Sequence, residues 1–248
     1  MQPIILYDTP SSKVPKNIWA PNPAKTRQAA RLVGFCLSYK GLPHEIVLVE
    51  FKDITCTLEA IGASPTAGDR YTVPVIKDPN TGAIVSDSLA IAEYLDKTYP
   101  EKPVIPCSTN VLMAAFEPMY CDIAYGKAVK YILTRTLAIQ NDSSREYFIN
   151  TRLAMFGASS WEEMEESPEQ QWEDWKKGLS EIDGWYQKSG GKWIMGDTFS
   201  FADMVVACRT MWWNAILDEE KRQELHCLND RRWVKVLADV NAECGTDL

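Results

Sequence analysis

The feature that most constrains this chain is a change of period at the proline-bearing stretch PEKPVIPCST, residues 100–109. Before it, short apolar runs alternate with amphipathic segments; after it, residues 110–248 carry helical spacing and no convincing strand. The division predicts a unit over 1–100 and an all-helical unit over 109–248, an α/β lobe followed by an all-α lobe.

Within the first unit, Ile4 to Tyr7 reads as a buried strand. Pro23 suits the first position of a helix and Asn22 its N-cap, with Ala29, Leu32, Val33, Cys36 and Leu37 recurring at helical spacing. Gly41 and Pro43 close that helix. Glu45 to Phe51 reads as a second strand, and a stretch holding Pro65 and Gly68 follows as a connector. Tyr71–Lys77 and Ala83–Ser86 flank the turn-forming DPNTG, which predicts a hairpin. Ser86 is then expected to cap a helix with Leu89, Ile91, Ala92 and Leu95 on its inner face, ending near Tyr99 and Pro100. The expected order is β-α-β, connector, β-β-α.

Composition narrows the partners. A net charge of −8 opposes nucleic acid and anionic membrane surfaces. Seven cysteines without a Cys-x-x-Cys pair suggest neither a disulfide framework nor a zinc site, and with only His44 and His226 no metal is expected. No apolar run is long enough to span a membrane and the N-terminus lacks the character of a signal peptide, so a cytoplasmic location is expected.

Three motifs bear on chemistry, each with a bland alternative. Pro74 either marks an edge strand or forms a cis bond with Val73 that turns peptide groups outward toward a peptide-like ligand. Asp87 and Ser88 either suit a helix start or hold an amino-acid zwitterion, the carboxylate on Ser88 and the helix N-terminus, the ammonium on Asp87. Ser200 and Asp203 in GDTFSFAD have the spacing of a capping box, read as structural.

Taken in order, the Val-Pro turn, SDSLAIAEYL and GDTFSFADM resemble the glutathione transferase superfamily over essentially the whole chain. LYDTP, WAPNPAKTR, GLPHEIVLVEFKDI, RYTVPVIKDP and EYFINTRLAMFG look more narrowly like the fungal-specific A class, related to the bacterial β-etherases. The resemblance implies a thioredoxin-like glutathione-binding lobe, glutathione as co-substrate, and a homodimeric cytosolic detoxification enzyme. It implies a glutathione site at Ala20, Asn22, Lys52, Arg70, Thr72, Val73, Pro74, Asp87 and Ser88, with Lys52 and Arg70 as candidate cations for the glycyl carboxylate. A hydrophobic co-substrate would lie near Trp19, Phe116, Met119, Tyr120, Ile123, Met211 and Trp212, although aromatics at helical spacing are also what a core uses.

The chain departs from that class at one point: the loop serine expected beside the glutathione sulfur is Ala20. Asn22 then either caps the helix or donates its amide to the sulfur as the catalytic residue, or does both with opposite ends. Two functions compete. One is a transferase of weak or specialised activity, conjugating or reducing aromatic electrophiles, peroxides or glutathionylated compounds. The other is a ligandin that holds glutathione and carries aromatic compounds with little catalysis.

Overall fold

The computed structural model describes residues 1–10, 25–66 and 68–246, with side chains in the first helix from residue 32 onward. The N-terminal lobe holds β1 (Ile4–Asp8), α1 (Lys25–Tyr39), β2 (His44–Leu48), a 3-10 turn (Phe51–Asp53), α2 (Ile54–Ala60), β3 (Val75–Lys77), β4 (Ile84–Ser86) and α3 (Ser88–Thr98). Its four strands are ordered β2-β1-β3-β4. β1 runs parallel to β2, with Ile4 opposite His44, and antiparallel to β3, with Leu6 opposite Ile76.

Strand alternation divides the core between the two faces. Ile4, Leu6 and Ile76 point to one face and pack with Leu32, Val33 and Cys36 of α1 and Ile91 and Leu95 of α3. Tyr7 and Val75 point to the other and pack with Phe51, Ile54, Leu58 and Val73.

Several sequence expectations need correction. β2 ends at Leu48, and Phe51 belongs to the 3-10 turn, its ring buried on the sheet. The strand expected over 71–77 is confined to Val75–Lys77, because the cis Val73–Pro74 bond interrupts pairing. The connector contains α2, where Ile54 and Leu58, one turn apart, are both buried. The cap of α3 is Asp87 rather than Ser86: Asp87 Oδ1 accepts from the amides of Leu89 and Ala90 at 3.0 and 3.1 Å. Ser86 stays in β4, opposite Val75. The Asn22 cap and Pro23 lie outside the described residues.

The helical lobe consists of α4 (Asn110–Tyr125), α5 (Val129–Leu137), α6 (Asp142–Phe156), α7 (Pro168–Ser189), α8 (Phe201–Ile216) and α9 (Glu219–Cys244), the last interrupted by non-helical backbone at 228–231. Its center is aromatic: Trp175 meets Trp213 edge-on at 5.7 Å, and Trp213 Nε1 donates to Tyr125 Oη at 2.9 Å. Gly178 allows α7 to approach α4, since a Cβ there would lie 2.2 Å from the Ile123 carbonyl oxygen. Ser200 and Asp203 form the expected capping box at the start of α8.

Two contacts tie the lobes together, and an ion pair within the sheet lobe fixes the segment that joins them. The Lys40 ammonium, its side chain 1% exposed, lies 2.7 Å from Asp96 Oδ1 and donates to the carbonyls of Tyr99 and Glu101. Asp96 in turn accepts from the amides of Val104 and Ile105, fixing the connecting segment, and Phe201 N donates to the Val104 carbonyl at 2.7 Å. On the far side, Glu50 accepts from Asn141 Nδ2 at 2.8 Å and from Ser144 Oγ at 2.6 Å.

Candidate functional site

The sequence places a peptide-pairing turn and a helix start in one region, and the fold brings them side by side. β3 and β4 are adjacent antiparallel strands, so the residues before β3 and after β4 share one end of the hairpin. The Val73–Pro74 bond is cis, the second of the two readings left open by the sequence. The Val73 side chain is buried on the sheet, which fixes the residue, while its peptide groups have no hydrogen-bond partner among the described residues.

Opposite stands the start of α3. Asp87 has φ 80 and ψ 134, a backbone region that costs a non-glycine residue on the order of 1–3 kcal/mol and is most often retained where a ligand is held. Its Oδ1 is used as the cap, and no hydrogen bond takes up Oδ2 among the described residues. Ser88, 6% exposed, keeps its hydroxyl without a described partner, and the Ser86 hydroxyl beside it is buried and likewise unpartnered. Buried polar groups are normally satisfied within a protein. The buried, unpartnered Ser86 hydroxyl and the Val73 peptide lie beside the Ser88 hydroxyl and the exposed Asp87 carboxylate at a helix N-terminus, a set of polar groups that fits a small zwitterionic peptide.

The remaining candidates are placed unevenly. Thr72 is half-buried, and its hydroxyl bonds that of Thr66 across the loop. Lys52 is exposed on the 3-10 turn, and Arg70 is exposed ahead of the cis bond. Trp19, Ala20 and Asn22 lie outside the described residues.

Of the residues considered for a hydrophobic ligand, Phe116, Tyr120, Met211 and Trp212 sit in the core of the helical lobe, each at most 7% exposed. Phe116 stacks on Tyr120 at 5.9 Å and meets Trp185 at 6.0 Å, and burial raises the Tyr120 phenol, which stays protonated. Ile123 is half-buried, and Met119 is 47% exposed on the outside of α4.

Two residues at the lobe junction escaped the sequence reading. Glu50 ends an apolar run, where a charge is easily taken for a strand terminus. Arg152 follows Ser144 and Phe148 at four-residue steps, a stripe that places all three on one face of α6.

A mixed four-stranded sheet with helices on both faces, a cis-proline turn beside a capped helix start, and an appended helical bundle define the class of two-lobed proteins with a thioredoxin-like first lobe. The comparisons narrow that class to one family. Residues 29–98 match the model of the glutathione S-transferase N-terminal domain and residues 111–242 that of the glutathione S-transferase C-terminal domain. The chain belongs to the glutathione S-transferase family. A glutathione S-transferase of Ceriporiopsis subvermispora, solved in complex with glutathione, is 32% identical with a TM-score of 0.88, covering 98% of each chain. Glutathione transferase GSTFuA3 of Phanerochaete chrysosporium is 31% identical with a TM-score of 0.84, over 100% of this chain and 99% of that one. A glutathione S-transferase-like protein, ustS, of Aspergillus flavus is 31% identical over 149 residues, 56% of this chain and about half, 51%, of that relative's length. Among the described residues, no helix is long and apolar enough to cross a membrane.

Proposed function

We propose that this protein is a glutathione-dependent transferase of weak or specialised activity whose acceptors are hydrophobic aromatic electrophiles, peroxides or glutathionylated compounds. The observation that carries the reading is the convergence of the cis Val73–Pro74 bond, the buried unpartnered Ser86 hydroxyl and the capped start of α3. In this reading the Val73 peptide pairs with the cysteinyl backbone. Ser88 and the helix N-terminus receive the γ-glutamyl carboxylate, and Asp87 receives the ammonium. Thr72 and Pro74 shape the wall, and Lys52 or Arg70 faces the glycyl end. Residues 1–100 serve as the glutathione-binding domain and 109–248 as the helical domain, with Trp19, Met119 and Ile123 toward the acceptor.

Asn22 is assigned the thiol. A free cysteine thiol near pKa 8.5 is only a few per cent ionised at neutral pH, so a donor at the sulfur raises the reactive fraction. With Ala20 in place of serine one donor is missing, and the expected consequence is a thiol activated less by roughly one to two pKa units. That same alanine favors the second reading, a ligandin that binds glutathione and aromatic compounds with little turnover.

The deciding measurement is glutathione-dependent turnover on an aryl halide, an organic hydroperoxide and a glutathionylated ketone, alongside ultraviolet titration of the bound thiol. Turnover that is lost in Asn22→Ala with glutathione binding retained, and a lower thiol pKa in Ala20→Ser, are expected. No turnover on any of the three, together with tight aromatic binding, selects the ligandin; an unchanged thiol pKa in Ala20→Ser removes the role given to that position. The reading includes a cytoplasmic homodimer of the fungal-specific A class. Val111 and Leu112, 81% and 62% exposed at the start of α4, offer apolar surface for the partner, and sedimentation at micromolar concentration tests it.

A further inference from the structure

β2 is an outer strand of the sheet and, among the described residues, pairs with β1 alone. Its sequence, HEIVL, leaves three consecutive large apolar side chains in water: Ile46 is 46% exposed, Val47 40% and Leu48 55%. Single apolar residues on a surface need no explanation, whereas a contiguous run does. Edge strands are commonly blunted against pairing by lysine, proline or a bulge. β2 has no lysine or proline, and its register with β1 runs unbroken from Ile4 opposite His44 to Asp8 opposite Leu48. The other edge, β4, is shorter and half-buried.

The ladder fixes which peptide groups remain free. Ile4 N donates to the Pro43 carbonyl and Val49 N to the Asp8 carbonyl, so Glu45 and Val47, in phase with these, turn their N–H and C=O groups toward β1. His44, Ile46 and Leu48 turn theirs outward. A copy of β2 laid antiparallel on this edge, about a two-fold axis at Val47, sets Ile46 opposite the second copy's Leu48, and Leu48 opposite its Ile46, as hydrogen-bonded pairs. Val47 then meets its own equivalent as the closer, non-hydrogen-bonded pair. Every exposed apolar side chain of the strand faces an apolar one, and Glu45 faces Val49. Centering the axis on Ile46 would instead set two Glu45 carboxylates diagonally across the ladder, in a chain of net charge −8.

We propose that β2 is a self-association edge: a second copy of this chain adds its own β2 antiparallel about Val47, joining two four-stranded sheets into one continuous sheet. This surface is separate from Val111 and Leu112 of α4, so the inference goes beyond the function proposed above and stands whether or not the α4 face makes a dimer. With both faces in use, each self-complementary, the copies join as a chain of dimers. A strand of 5 residues buries less than the roughly 1,200–2,000 Å² of a stable interface, so the contact is weak and depends on concentration.

Sedimentation of the full chain from about 10 to about 500 micromolar, the range in which so small an interface associates, tests the edge. The wild type is expected to show a reversible rise in mass beyond that of its smallest species. Val47→Lys opposes two ammonium groups at the axis and Val47→Glu two carboxylates, and each is expected to weaken that step about tenfold. Mixed in equal amounts, the two variants should associate again, because lysine then faces glutamate. A loss caused by misfolding would not be restored by mixing. No association of the wild type at the highest concentration overturns the proposal and leaves the edge to an extended segment of another protein. Wild-type association retained in both variants, or mixing that restores nothing, overturns it as well. A smallest species that is a monomer refutes the α4 dimer instead, and the Val47 variants still decide the β2 edge.

Discussion

Replacing Asp203 by asparagine tests whether the buried capping carboxylate is held as a charge at a cost. Asp203 is fully buried; its Oδ1 accepts from Ile194 N at 2.8 Å, and its Oδ2 accepts from Ser200 N at 3.1 Å and Ser200 Oγ at 3.0 Å. Asparagine can keep the bond to Ile194, and the Ser200 hydroxyl can rotate to accept from the new amide, but the Ser200 N–H then faces a donor. Losing that charge-assisted bond costs about 1.5–3 kcal/mol near neutral pH. Burial acts the other way, lifting the carboxyl from its ordinary 3.8 to about 6 against the pull of its donors. With the folded value raised, the native state binds more protons between those two values, so stability falls as pH rises through that window. The full lift is worth ~3 kcal/mol, of which about 1.4 kcal/mol separates about pH 5 from about pH 7.5. Asparagine does not titrate, so the stability gap between wild type and Asp203→Asn should be wider at pH 5 than at pH 7.5 by about that amount. Urea unfolding followed by the fluorescence of the nine tryptophans, at both pH values, measures it. A gap that narrows on acidification would refute the reasoning, because the donors around Asp203 would then outweigh its burial.

Gly178→Ala places a Cβ 2.2 Å from the Ile123 carbonyl oxygen and 3.0 Å from Ala124 Cα, so α4 and α7 must separate; a loss of roughly 2–3 kcal/mol is expected, and an unchanged melting temperature would contradict the packing. Asp78 is buried, yet the hydroxyls of Tyr94 and Tyr99, each at 2.6 Å, and the groups of Asn80 hold its carboxyl below the usual range against the opposing effect of burial. Its contribution is therefore present above the ordinary carboxylate value and lost as pH falls through the lowered one, so Asp78→Asn should cost about 1–3 kcal/mol at neutral pH, with the gap closing below about pH 4. A double-mutant cycle of Glu50→Ala and Ser144→Ala should give a coupling of about 1.5–3 kcal/mol in urea unfolding, and additive losses would show that this bond does not join the lobes.

What the sequence made legible follows from how local each signal is. Gly41, with φ 68, closes α1 where expected, because a positive φ followed by Pro43 is encoded within three residues. The hairpin is likewise local: Asp78, Asn80 and Gly82 make the turn between β3 and β4. α2 was not legible, since Ile54, Thr55 and Thr57 are weak helix formers; burial of Ile54 and Leu58 against the sheet supplies what propensity does not. The α3 cap shifted by one residue because β4 holds Ser86 in register with Val75, leaving Asp87 to turn the chain. Phe116, Tyr120, Met211 and Trp212 show the limit of periodicity: helical spacing selects an inward face and does not say whether protein or ligand fills the space beyond it. Glu50 was invisible for a different reason, as its role depends on which residues of the other lobe lie opposite.

The sheet lobe and the helical lobe share one continuous core, and this determines how substitutions far from the candidate site can reach it. α1 packs on the sheet with Leu32 and Val33 and on α8 through Cys36, whose sulfur lies 3.6 Å from the Met204 sulfur. The helix that follows the Ala20–Asn22 loop in sequence is therefore clamped from both sides, with Lys40 and Asp96 securing its C-terminal end. Interiors packed at this density transmit displacement rather than absorb it, so a cavity or an overpacked residue in α8 shifts α1. Lys40 with Asp96, both of the sheet lobe, is internally neutral and fully engaged, and through the Val104 and Ile105 amides it fixes the segment that leads into the helical lobe.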